Sequence, residues 1–433
     1  MKKPQRCDSV ETRTVTGTRG ILNRQARDGS VPATVWQIGV MMLLMNISFI
    51  MVVSFSGLYL RLELGVSALS IGLIEGFCET ISHLMKLFSG MVSDFFRKRK
   101  GIIIFGYLFS VLSRPVLAFA YTSELVFIAK IMERFGNGVQ ASPRDAIIAD
   151  VAPRKRIGGS YGLKRSLAYI GSLSGGLIGI WAIQATNNNY QQVFGLASIP
   201  AGLAMLLLIF CVREPKRFDH PAVASEAPLP PPKLKTKFSI KNFKYLGSAF
   251  WILIGLNAVI MTAKINETFL IITMQQQVQS SLVWAPLTPI IFNLGAALSS
   301  YPIGLLGDKL DRIKLLRIGI IFLLLADVAM YSCYSKEVMY LGILCWGIQL
   351  GTTQNIFVSL IAEKVPEDLR GTGFGVYWLV NALAAFCADT LSGIVAQGGE
   401  WTNIFLASGL IGLLAMGLMF PVIRYAAPNR KKR

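Results

Sequence analysis

The chain has 433 residues, 53% hydrophobic and 15% charged, with a mean hydropathy of +0.52. A soluble protein has no interior large enough to hide that fraction, so the composition points to an integral membrane protein. The net charge of +19 would suit a nucleic-acid binder, but the cations cluster in loops between long apolar runs and no basic face carries stacking aromatics, which excludes that class.

Residues 1–37 are polar and basic without an apolar h-region, which reads as a disordered cytoplasmic tail and not a cleavable signal peptide. A hydrocarbon core about 30 Å thick needs about 20 apolar residues per helix, and the chain divides at its charged or turn-rich breaks into twelve such segments. The first six are Ile38–Leu60, Ala68–Ser93, Ile102–Tyr121, Thr122–Ile148, Tyr161–Ala185 and Val193–Val212. Residues 213–244, with PLPPPKLKTK, form a cytoplasmic linker that lies on the lipid surface or is simply solvated. The second six are Tyr245–Met274, Ser281–Gly307, Ile313–Tyr334, Glu337–Ile361, Gly371–Ala396 and Thr402–Arg424, followed by a basic tail, 425–433. Alternate loops are rich and poor in Lys and Arg, and the rich side also holds both termini, which places them in the cytoplasm.

Two motifs repeat at one offset. GMVSDFFRKRKG from Gly90 returns as GLLGDKLDRIK from Gly304, with Asp94 and Asp308 214 positions apart. ADVAPRKRIGGSYG from Ala149 returns as AEKVPEDLRGTGFG from Ala362, with Asp150 and Glu363 213 apart. A duplicated half in a hydrophobic chain marks a transporter built from repeats.

Charges inside the apolar runs carry the chemistry, because an unpaired charge near the bilayer centre costs at least ~2.5–3.5 kcal/mol. Glu75, Glu79, His83 and Lys86 share one face of the second segment; that face is expected to line a cavity or to pack against Lys130, Glu133 and Arg134 of the fourth. Arg114 precedes Pro115 at a kinked position expected to face water, and Lys264 and Glu267, at i and i+3, are expected to neutralise each other. Asn46, Asn257, Gln349, Gln354, Asn381 and Asp389 add polar groups, and Phe55, Tyr59, Tyr169, Trp251, Phe269, Tyr377 and Trp378 are candidates to flank an organic substrate. Six scattered cysteines and two histidines give no disulfide framework or metal set, and no GxxxxGK[ST] or nucleophile elbow is present. No enzyme activity and no cofactor are expected.

Two six-segment halves, a basic central linker and the doubled G-x-x-x-D-basic loop resemble the major facilitator superfamily. Within it, ERFGNGVQASPRDAIIADVAP followed by GLKRSLAYIGSLSGG is similar to a bacterial branch of efflux or uncharacterised permeases. Phe95 and Arg97 depart from the usual D-R-x-G-R-R loop, and Gly176 stands where the G-x-x-x-G-P-x-x-G pattern of drug/proton antiporters has Pro. The resemblance implies an all-α integral membrane fold of twelve transmembrane helices in two pseudo-symmetric six-helix bundles, with helices 1, 4, 7 and 10 lining the cavity. It implies a functional monomer in the bacterial cytoplasmic membrane, surrounded by lipid and without nucleic acid.

The residues then take expected roles. Gly90, Asp94, Arg97, Arg144, Asp145, Asp150, Arg165, Gly304, Asp308 and Arg312 would form a cytoplasmic gate, with Lys164 beside them. Glu75, Glu79, Arg134, Glu267 and Asp389 would serve proton coupling, with Glu79 the first candidate carrier. Asn46, His83, Arg114, Gln140, Asn257, Lys264, Gln349, Gln354 and Tyr377 would contact substrate. The leading reading is proton-coupled antiport that exports a small organic molecule. Its rivals are proton-coupled uptake of a nutrient, metabolite or siderophore, and a transport-inactive receptor or scaffold.

Overall fold

The computed structural model describes residues 32–96, 99–151, 157–212, 246–278, 282–307, 311–332, 334–365 and 370–426. The tail up to residue 31, the linker, the last seven residues, Arg97 and Asp308 lie outside them. The side chain of Asp94 and the surroundings of Gly304 are likewise outside the description.

The first half contains α1 (Ala33–Leu58), α2 (Ala68–Phe96), α3 (Arg99–Ala118), α4 (Ser123–Val151), α5 (Ile157–Ala185) and α6 (Tyr190–Phe210). The second contains α7a (Gly247–Thr262), α7b (Glu267–Val278), α8 (Leu287–Gly307), α9 (Arg312–Ser332), α10 (Lys336–Lys364), α11 (Arg370–Gln397) and α12 (Asn403–Ala426). α1 begins just after Pro32, five residues before the expected start. Local chemistry sets other boundaries. Asn187 and Asn188 turn the chain at positive φ, a conformation Asn tolerates, and Asn189 then caps α6 by accepting from the Gln192 amide. Ser335 caps α10 in the same way through Val338.

One expectation fails at helix 7. The sequence predicts a continuous span over 245–274, but residues 263–266 leave the helix. Asn266 accepts from the Thr268 amide and so restarts α7b as its cap. Among the described residues, six spans (α1, α3, α5, α6, the two parts of helix 7, and α11) are long and apolar enough to cross a membrane.

Within the first half α1 packs on α5 and α6, α4 on α2 and α3, and α3 on α6; the second half repeats this, with α7a on α11 and α12, α10 on α8 and α9, and α9 on α12. The match extends to single residues. Gly106 of α3 approaches α4 closely, and Gly319, 213 positions later, does the same between α9 and α10. Arg114 bonds Glu133, while Asp327 accepts from Trp346, each residue again 213 positions after its counterpart.

The halves meet mainly at the end of the bundle away from the chain termini, here called distal. There a Cβ on Gly72 would lie 2.3 Å from the Asp389 carbonyl, and one on Gly57 2.4 Å from Thr268, so only glycine allows these approaches. Arg61 lies over Trp401 at 5.4 Å. The helix-5 glycines split between two neighbours: Gly171 and Gly175 press on the α1 backbone, and Gly176 and Gly179 face Ile290 of α8 and Pro286 just before it. Farther down, Thr80 donates to the Ala382 carbonyl at 3.0 Å, and Trp378 covers His83 and Lys86. One turn beyond, Gly90 faces Ser142 of its own half.

Candidate functional site: a charged seam beside a polar cavity

α2 and α4 run parallel and touch once per turn. Lys130 Nζ lies 2.5 Å from Glu75 Oε1, and Arg134 Nη1 stands 3.2 Å from Glu79 Oε2 in an ion pair without hydrogen-bond alignment. Gly138 then packs on Ser82 and Met85, and Ser142 donates to the Lys86 carbonyl at 2.7 Å. Spacing of three or four residues on both helices produces this register. Glu133, one position and about 100° from Arg134 on the helix, faces away and binds Arg114 at 3.1 Å.

The second half carries no such charges at the matching places. Phe292 and Gly347 stand 213 positions after Glu79 and Arg134, and a Cβ on Gly347 would lie 2.1 Å from the Phe292 carbonyl. α8 and α10 therefore close by backbone approach where α2 and α4 close by ion pairs. Buried charges survive in a membrane only when paired or functional, so the asymmetry confines most of the buried charge chemistry to the first half.

Glu75 also reaches across the halves. Its Oε1 accepts from Thr268 Oγ1 of α7b at 2.7 Å, and Glu75 is 1% exposed. Beside it, Asn266 donates to Asp389 at 3.2 Å. Glu267 has Lys264, Arg134, Glu79 and Glu75 as its electrostatic neighbours. Lys264 and Glu267 form no ion pair, because the helix breaks between them and the i, i+3 geometry is lost.

A small polar pocket opens next to the seam. Asn257, Lys264, Gln349, Thr353, Gln354 and Tyr377 line it together with Ile260, Met261, Leu350 and Phe357. Tyr377 stacks edge-on to Trp378 at 5.2 Å, and Trp378 in turn lies 5.5 Å from His83. Asn257 is oriented by its bond to Asn381 at 2.7 Å, and Gln349 by Thr353 at 3.3 Å.

Five of the expected substrate contacts, Asn257, Lys264, Gln349, Gln354 and Tyr377, thus surround one space, with His83 behind Trp378. The other three lie elsewhere. Arg114 is 1% exposed and bonded to Ser48 and Glu133 inside the first bundle, which corrects its expected water-facing position. Asn46 donates to the Met42 carbonyl. Gln140 is held in the α3–α4 contact and donates to Asn137. The cavity draws on helices 7, 10 and 11, where helices 1, 4, 7 and 10 were expected.

Of the expected gate residues, Asp145 is held by Lys164 at 2.6 Å, with Arg144 at 3.8 Å. Asp150 pairs with Arg99. Arg165 donates to Tyr169 at 3.3 Å, and Arg312 opens α9. Of the aromatic candidates, Phe269 is fully buried against Trp401, Tyr59 bonds the Ala120 carbonyl, and Trp251 is 42% exposed on the outside of the bundle.

Asp327 escaped the sequence reading. It is 3% exposed and accepts from Trp346 Nε1 at 3.1 Å and Ser408 at 2.8 Å. Ser408 Oγ also lies 2.7 Å from the carbonyl of Ala263, where helix 7 breaks. No cation accompanies Asp327 on its own helix face to draw attention. The offset of 213 from Arg114 was the available signal.

Comparison with known proteins agrees with this architecture. An uncharacterised MFS-type transporter of Methanocaldococcus jannaschii is 24% identical over 83% of this chain and 87% of its own. A multi-drug resistance efflux pump PmrA homolog of Lactococcus lactis is 26% identical over 74% and 78%. Among solved structures, the nucleoside transporter NupG superposes with a TM-score of 0.74 at 12% identity, covering 90% of this chain and 99% of that one. The family model of the Major Facilitator Superfamily matches residues 38–389. This chain, a multi-pass membrane protein and a transporter, belongs to that superfamily.

Proposed function

We propose that the protein exports a small organic molecule across the bacterial cytoplasmic membrane in exchange for protons, acting as a monomer. In this reading both termini, the tail 1–37, the linker 213–244 and the end 425–433 are cytoplasmic. The distal end then faces outward and is closed, so the state described above is inward-facing. The likeness to an efflux pump supports export.

The observation that carries the coupling is the Glu79–Arg134 pair, set between α2 and α4 and without a charged counterpart in the second half. Protonation of Glu79 would cancel the attraction and free the guanidinium, and binding of substrate near Arg134 would compete with the carboxylate in the same way. Proton and substrate thus exclude one another, which is the requirement for exchange. Glu75, Glu267 and Asp389 surround the helix-7 break and would transmit the change, since Glu75 holds Thr268 of the opposite half.

Access then alternates by rocking of the halves. Closure of the distal end uses the glycine contacts of α2 with α11 and of α5 with α8. Closure of the proximal end would use Gly90, Asp94, Arg97, Gly304, Asp308 and Arg312, with Arg144, Asp145, Asp150 and Arg165 as the opposing charges. The test is Glu79→Gln in proteoliposomes. Gradient-driven accumulation should be lost while equilibrium exchange of substrate survives; retained accumulation would remove Glu79 from the coupling role.

A further inference from the structure

We propose that Asp327 is a proton-binding site in the second half, and that the proton it holds keeps the break in helix 7 in the arrangement seen here by way of Ser408. The site goes beyond the Glu79–Arg134 coupling and does not depend on it.

Three oxygens stand in a row. Asp327 Oδ2 lies 2.8 Å from Ser408 Oγ, which lies 2.7 Å from the carbonyl oxygen of Ala263. Each of these contacts needs a hydrogen, and the serine hydroxyl carries one. The other can come only from the carboxyl group, so Asp327 donates to Ser408 and Ser408 donates to Ala263. The remaining carboxyl oxygen, Oδ1, accepts from Trp346 Nε1 at 3.1 Å, and the neutral acid thus satisfies every group in the row. Without that proton the carboxylate takes the Ser408 hydrogen, and Ala263 loses its donor.

The surroundings favour the neutral form. Asp327 is 3% exposed. Trp346 faces it from α10, Ser408 and Gly409 from α12, and the Ala263 carbonyl from behind Ser408; none of them is charged. Lys264, next in the chain to Ala263, lines the polar pocket and makes no ion pair with Asp327. A lone carboxylate buried in a membrane protein is costly, and a hydrogen-bonded carboxylic acid is not.

The same row reaches the backbone. α7a ends at Thr262, so the Ala263 carbonyl has left the helical ladder, and Ser408 supplies the donor that a buried carbonyl requires. The first half provides the contrast. Arg114 and Glu133, 213 positions before Asp327 and Trp346, form an ion pair, and Ile50, 213 before Ala263, lies within the unbroken α1. Just past the break, Thr268 holds Glu75 of the opposite half. Loss of the proton to water would therefore loosen the segment that ties the two halves together.

Infrared difference spectroscopy of the purified full-length protein reads the carboxyl proton, and hydrogen–deuterium exchange of peptides covering 258–270 reads the break. At neutral pH the parent should show a protonated-carboxyl C=O band that Asp327→Asn lacks and that fades as pH rises. Ser408→Ala should shift this band, which assigns it even where the asparagine variant folds poorly. Ser408→Ala also removes the donor to Ala263, so exchange around the break should rise about tenfold at every pH, the scale of one buried group left without a partner. In the parent, corrected for the intrinsic pH dependence of amide exchange, the same rise should accompany loss of the band; in Asp327→Asn, which keeps its hydrogen, exchange should stay flat. Absence of the band, a band unmoved by Ser408→Ala, or parent-like exchange in Ser408→Ala overturns the proposal. Neither readout involves transport, so a failure of this site and a failure of Glu79 coupling are told apart.

Discussion

Thr268→Val removes one hydroxyl at the place where the two halves are joined by a charged acceptor. Valine keeps the volume and branching, so the perturbation is confined to the bond from Thr268 Oγ1 to Glu75, 2.7 Å long in the closed distal seam. A hydrogen bond to a charged group contributes about 1.5–3 kcal/mol, and this one exists only while the distal end is shut. Its loss should therefore shift the ratio of distal-open to distal-closed molecules by about 10- to 100-fold. Lys130 still pairs with Glu75 in the variant, so no buried charge is stranded. Ile272 reports the change: it is 1% exposed and faces Gly57 across the seam. With the native cysteines replaced and Ile272→Cys introduced, the rate of maleimide labelling follows the open fraction. A rise of about tenfold or more in Thr268→Val is expected on that energy scale; a rate within about twofold of the parent (~0.4 kcal/mol) would refute the idea that this bond holds the seam.

Two further predictions concern buried polar contacts inside the halves. Arg114→Met leaves Glu133 charged and unpaired within the first bundle, so it should destabilise by about 3–5 kcal/mol, and Arg114→Met/Glu133→Gln should recover part of that; Tm by fluorescence-detected size exclusion measures both. Asp327→Ala strands the Trp346 indole and the Ser408 hydroxyl and should cost about 1–3 kcal/mol, whereas Asp327→Asn can still accept from Trp346 and donate to Ser408, and its Tm should stay nearer the parent.

Much of the architecture was legible because its causes are local. Apolar runs of membrane length show directly in the residue string, and the duplication shows in motifs at offsets of 213 and 214. The α2–α4 seam was legible too, since Glu75, Glu79 and Lys86 must face something other than lipid. The destination of Glu133 was not, because a single step of about 100° turns it from α2 to α3, and choosing between them needs the packing angle. The break in helix 7 has no proline or glycine to mark it. Only Asn266 as a cap gives it away, and an asparagine within an apolar run reads equally well as a cavity group. The pocket itself gathers residues from α7a and the break after it, α10 and α11 that are far apart in sequence.

Flux against an imposed pH gradient tests the central claim most directly. Proteoliposomes with an acidic interior let protons leave, so an antiporter should accumulate the compound that stabilises the purified protein best, and an alkaline interior should not drive that uptake. Glu79→Gln should abolish the difference. Equal uptake under both gradients would contradict proton coupling, and uptake driven only by an alkaline interior would replace antiport by symport.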